Sequence, residues 1–117
     1  MTISDKDNQR LRELAERYPH LFRGLILPWF TREGWPKMLK AAADRDRLHD
    51  TFEEFEQSST TAFNDVVAKG HPVEKVQIDA DALIAWCKAE GRPLDSGARH
   101  VFAILTLTER DKGAGHA

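Results

Sequence analysis

Apolar side chains recur at i, i+3, i+4 and i+7 in Leu11, Leu14, Ala15 and Tyr18, one face of a helix. Ser4 and Asp7 form a weak capping box ahead of this stripe. Pro19 closes it, because the residue before a proline is pushed out of the α region. The spacing predicts a helix over residues 5–17. The period then dissolves. Pro19, Gly24, Pro28 and Gly34 punctuate residues 19–35, while Leu21, Phe22, Leu25, Ile26, Leu27, Trp29, Phe30 and Trp35 load them with apolar area. An irregular segment so rich in aromatics has to be covered, either by the domain's own core or by a partner.

Helical spacing resumes at Trp35-Pro36, since proline suits the first helical position, and continues through Met38, Leu39, Ala41 and Ala42. The phase slips around Asp44-Arg45-Asp46. A new stripe then runs Leu48, Phe52, Phe55, Ser59, Ala62, Val66. One helix over residues 36–69 would be about 50 Å long at ~1.5 Å per residue. A compact domain of this length has a radius of gyration of only about 13 Å. A break is therefore expected, either at Asp44 or at Ser58-Ser59-Thr60-Thr61, with Gly70 closing the segment. Val73, Val76 and Ile78 suggest one short strand with no visible partner.

The last third reads as two helices joined by Gly91-Arg92-Pro93-Leu94-Asp95. Asp79 caps the first, whose buried face is Ala80, Leu83, Ile84 and Cys87, and Gly91 ends it. Asp95 or Ser96 caps the second, with Ala98, Val101, Phe102 and Leu105 as its stripe and Ile104 widening it. The expected fold is mainly α: a single-domain helical bundle of four to five helices over residues 1–110. It carries the aromatic-rich irregular segment and at most one short strand, and residues 111–117 form a flexible tail.

Composition narrows the class. With 41% hydrophobic and 31% charged residues among 117, the chain is an ordinary folded domain rather than a disordered one. Its one cysteine, Cys87, has no internal partner, which fits a reducing compartment. The polar, acidic start lacks the features of a secretory signal, and the run from Leu25 to Phe30 is far too short to cross a bilayer. A cytoplasmic location without membrane contact is expected. The net charge of −2 is unevenly spread. Residues 41–70 hold seven acidic against three basic side chains, and no stretch is dense enough in Lys and Arg to track phosphates.

Candidate chemistry is sparse. Asp46, His49 and Glu53 are spaced i, i+3 and i+7 and would share a helix face as weak metal ligands. The alternative is a solvated face. Cys87 falls late in its helix on an apolar stripe, the wrong place for an activated thiolate. The chain has no phosphate-cradling loop, zinc-protease motif, Cys-x-x-Cys or nucleophile elbow, so neither an enzyme nor a cofactor is expected. Residues 79–110 could serve as a helix-turn-helix with Ser96, Arg99 and His100 facing DNA. Against that, the second helix is poor in cations and led by Asp95, which makes nucleic acid an unfavoured partner. The reading that remains is a small regulatory or protein-binding module. Trp29, Phe30 and Trp35 would anchor an unidentified protein partner or a second copy. The acidic run from Asp44 to Glu56, with Asp50, Glu53 and Glu54 foremost, would steer it.

Overall fold

The computed structural model describes residues 4–19 and 24–114. Among these residues the chain forms, in order, α1 (Asp5–Arg17), β1 (Leu25–Trp29), α2 (Gly34–Ala41), a 3-10 turn (Arg45–Arg47), α3 (Phe52–Ala68), β2 (Val73–Gln77), α4 (Ala80–Glu90) and α5 (Ser96–Ala114).

The helix boundaries follow local chemistry. The Ser4 hydroxyl accepts from the Asp7 N–H to start α1, and Asp79 accepts from Asp81 and Ala82 to start α4. Asp95 accepts from the Ala98 N–H at the head of α5. Thr51 and Glu54 close a full capping box on α3. Gly70 and Gly91 stand just past α3 and α4 with φ of 78° and 65°. After each, the next N–H reaches back five residues, His71 to Val66 and Arg92 to Cys87, which satisfies carbonyls the helix leaves open.

One expectation is corrected here. Among the described residues the chain has two strands, not at most one. β1 and β2 pair in parallel with Leu25 opposite Val73 and Trp29 opposite Gln77. Part of the segment expected to be irregular is therefore β1, and α2 begins at Gly34, a residue before the expected start. Leu21 and Phe22 lie outside the described residues. α5 continues to Ala114, into the segment expected to be a tail; residues 115–117 lie outside the described residues.

The predicted break in the long helical stretch falls at its first candidate site. The chain leaves α2 after Ala41, makes the 3-10 turn, and re-enters at Phe52, while Ser58–Thr61 stay helical inside α3. The apolar stripes are slightly rotated from those read in the sequence. In α3 it is Phe63 that turns inward while Ala62 is exposed. In α5 the fully covered positions are Ala98, Val101, Ala103, Ile104 and Leu107, with Phe102 and Leu105 only half-buried.

In a strand pair, residues in register share a face. Glu74 bonds Arg110 of α5, while Trp29 and Lys75 lie against Phe55 and Phe63 of α3. The small sheet is thus sandwiched between α5 and α3. On the outside, α1 packs on α5 and α2 packs on α4. Met38, Val76, Ile78, Leu83, Val101, Ile104 and Leu107 fill the centre. No helix among the described residues is long and apolar enough to cross a membrane.

Candidate functional site

Of the aromatic residues expected to anchor a partner, Phe30 and Trp35 are core residues. Trp35 and Phe30 are each 2% exposed. The Trp35 ring stacks on Phe55 at 4.2 Å and 19°, and Phe30 meets both rings edge-on. The Trp35 indole N–H donates to the His49 carbonyl at 3.3 Å. Trp29 is half-buried against Phe55, with the Lys75 ammonium 4.3 Å from its centroid and 4.5 Å from that of Phe63. In a chain this small the domain needs its own aromatic area inside.

The candidate metal ligands separate. Asp46 sits in the 3-10 turn, His49 in the following loop and Glu53 in α3, so they share no helix face. Among the described residues no three His, Cys, Asp or Glu side chains are grouped to hold an ion. The break in the helix scatters them. The foremost carboxylates of the acidic run are matched within the chain. Asp50 meets Arg45 at 2.8 Å, Glu53 meets Arg32, and Glu54 is the capping-box partner of Thr51. Asp50 and Glu53 remain on the surface, but beside cations that cancel much of their field.

Of the DNA-facing candidates, Ser96 opens α5 and is half-buried. Arg99 points inward. Its two terminal nitrogens hold Asp44 at 3.0 and 2.5 Å, and the side chains are only 10% and 9% exposed. A guanidinium committed in this way has no reach to a base or phosphate. The Asp44 carboxyl, hydrogen-bonded to Arg99, is held below the usual carboxylate range. His100 is half-buried in a groove with Leu11, Leu25 and Ile104, and burial pushes its imidazole pKa down. Burial likewise pushes the Cys87 thiol up, away from a reactive thiolate.

A second internal pair escaped the sequence altogether. Asp7, on α1, receives both Arg92 terminal nitrogens at 2.7 Å. It is the one buried residue among those of α1. A Cβ at position 97 would lie 2.4 Å from its Oδ2, so Gly97 lets the carboxylate reach the first turn of α5. Arg92 and Arg10 both lie over the Trp86 ring, and Arg10 bonds Glu90 at 2.7 Å. This set fastens α1 to the α4–α5 turn. The Asp7 carboxyl is lowered mainly by its hydrogen bond from Arg92.

These shifts set a pH dependence. A depressed folded-state pKa contributes stability above the unfolded pKa, and that stability is lost as pH falls through the folded value. His100 therefore begins to weaken the fold below about pH 6.5, and Asp7 and Asp44 weaken it further below about pH 4. Unfolding midpoints measured from pH 8 to pH 3 should fall in these two steps. His100→Gln should remove the first step alone.

The feature left open is the outer edge of β2. The Leu25 N–H bonds Pro72 O at 3.0 Å and the Ile78 N–H bonds Trp29 O at 2.7 Å. In a parallel ladder this phase turns the backbone groups of Leu25, Leu27 and Trp29 toward β2, and those of Glu74 and Val76 toward β1. Val73, Lys75 and Gln77 then present their N–H and C=O groups outward. Among the described residues, none of these outward groups has a backbone partner. On the far side, Pro28 faces outward from β1 without an N–H, so that edge is interrupted. The charges that normally protect an edge are drawn aside: Glu74 to Arg110, and Lys75 onto Trp29 and Phe63. Lys75 and Gln77 are themselves exposed. Compared with family models, with curated proteins and with solved structures, the chain matches none of them.

Proposed function

We propose that this chain is a protein-binding module, not an enzyme, and that it accepts an extended segment on the outer edge of β2. The observation that carries this reading is the unpaired backbone edge of Val73, Lys75 and Gln77, next to an opposite edge blunted by Pro28. A two-stranded sheet is marginal by itself, and an open edge is a template whose main-chain groups supply affinity. The inward placement of Trp35, Phe30 and Arg99 supports the same reading, because it leaves backbone rather than side chains as the offered surface.

Gln77→Pro tests it. The substitution removes an outward N–H, leaves the β1 ladder intact, and follows a residue already extended. Tagged protein is used to capture partners from host lysate, with and without nuclease. A stoichiometric protein that survives nuclease and is lost at least tenfold in Gln77→Pro is the expected result. Recovery that disappears with nuclease, or that ignores the proline, rejects the reading.

A further inference from the structure

We infer that the segment accepted on β2 is β2 of a second copy of this chain, paired antiparallel about a twofold axis at Val76. The inference rests on the open-edge reading above and adds the occupant.

The number of free edges comes first. β1 is interrupted by Pro28 and β2 is not, so each protomer has one edge to offer. One free edge meeting its own copy makes a closed dimer, whereas two would propagate into a fibre. The product is a four-stranded sheet in the order β1–β2–β2–β1, a size at which a sheet has independent stability.

Charge then selects the register. Across a twofold axis, outward residues oppose outward residues, and the axis passes through one position of the strand. An axis at Lys75 sets two lysines opposite each other, and an axis at Glu74 does the same with two glutamates. Like charges directly opposite are destabilising. An axis at Val76 sets Val76 against Val76 and Lys75 against Gln77, with no like pair. An axis at Val73 sets Lys75 against His71, whose N–H is already bonded to Val66, and an axis at Gln77 sets Lys75 against Asp79, which is already committed to capping α4. At the Val76 register, Lys75 and Gln77 exchange N–H···O bonds in both directions, which gives four bonds across the axis. The Lys75 ammonium already lies over Trp29 and Phe63, so its charge is held away from the incoming strand. The two strands overlap only over residues 75–77 of β2, a weak contact, so the dimer is concentration-dependent.

The full-length chain is tested by sedimentation over its whole soluble concentration range and by disulfide trapping. The expected result is an apparent mass rising from 13.3 kDa toward twice that value in the wild type, and staying at one chain mass in Gln77→Pro with unchanged circular dichroism. Lys75→Cys and Gln77→Cys chains are also oxidised separately and mixed. At the Val76 register, position 75 of one chain faces position 77 of the other within disulfide reach. The mixture should give covalent heterodimer while each variant alone gives at least tenfold less. Cys87 is buried, and the wild type serves as its control. A wild type that stays at one chain mass at every concentration overturns the inference. So does a dimer that survives Gln77→Pro, or trapping without preference for the mixture. A monomeric wild type that still captures a foreign protein through Gln77 refutes self-pairing and leaves the open-edge reading standing. Loss of both refutes both.

Discussion

Asp44→Ala should destabilise the protein by about 3–5 kcal/mol, the range for breaking a buried ion pair from one side. Asp44 and Arg99 are separated by 55 positions, and their contact ties the connection between α2 and α3 to α5. Removing the carboxylate leaves a guanidinium 10% exposed, with the Met38 sulfur at 3.9 Å as its other neighbour. A cation in that setting must drag in water or leave, and leaving opens the α2–α3 connection. The double variant Asp44→Leu/Arg99→Met removes both charges and with them the desolvation penalty, so it should recover most of the loss. Chemical unfolding of the three proteins checks this. A single-variant loss below about 1 kcal/mol would mean that the guanidinium finds water, and that the pair is a surface contact in practice. Against a typical total of about 5–15 kcal/mol, the expected loss is large enough to show as a shifted midpoint at unchanged slope.

What the sequence made legible was local. Ser4, Asp79, Gly70 and Gly91 announce helix ends by their own side chains or by their freedom at positive φ, and all four stand where that chemistry puts them. The phase slip at Asp44 marked a real break because an apolar stripe cannot change face within one straight helix. What stayed hidden was long-range. Asp7 and Arg92 are 85 residues apart, and nothing near either residue signals the other. β1 was masked by Pro28, which argues against a strand unless its missing N–H faces the outer edge. That depends on a partner strand some 50 residues later. β2 showed the reverse problem: its alternation was visible, but its partner was not. The inward turn of Arg99 was hidden for the same reason, since only the fold brings Asp44 beneath it. The candidate edge became visible once the ladder phase was known, because one-residue register decides which backbone groups face out.

Trp35→Ala should cost about 3–5 kcal/mol, the range for deleting a large aromatic from a packed core. Trp35 sits where three elements meet. Its ring stacks on Phe55 of α3, Phe30 from the end of β1 closes on its edge, and its indole N–H holds the His49 carbonyl of the connecting loop. The alanine variant leaves a cavity, loses ring contacts worth about 0.5–1.5 kcal/mol each beyond area, and strands that carbonyl. Trp29→Ala should cost clearly less, because Trp29 is half-buried and the lysine over it already reaches solvent. The comparison separates two roles that tryptophan can play. An interface anchor loses binding on truncation while the free protein keeps its midpoint. A core residue loses the midpoint first, and binding only as folded protein disappears. Thermal unfolding followed by the near-ultraviolet signal of the aromatic cluster distinguishes them. If Trp35→Ala keeps the wild-type midpoint, Trp35 belongs to a surface and the stacking between α2 and α3 does not hold the domain together. If the midpoint falls as expected, α3 is fastened to the body mainly through Phe55, the one buried residue in its seventeen. Partner binding measured on such variants would then have to be corrected for the fraction still folded.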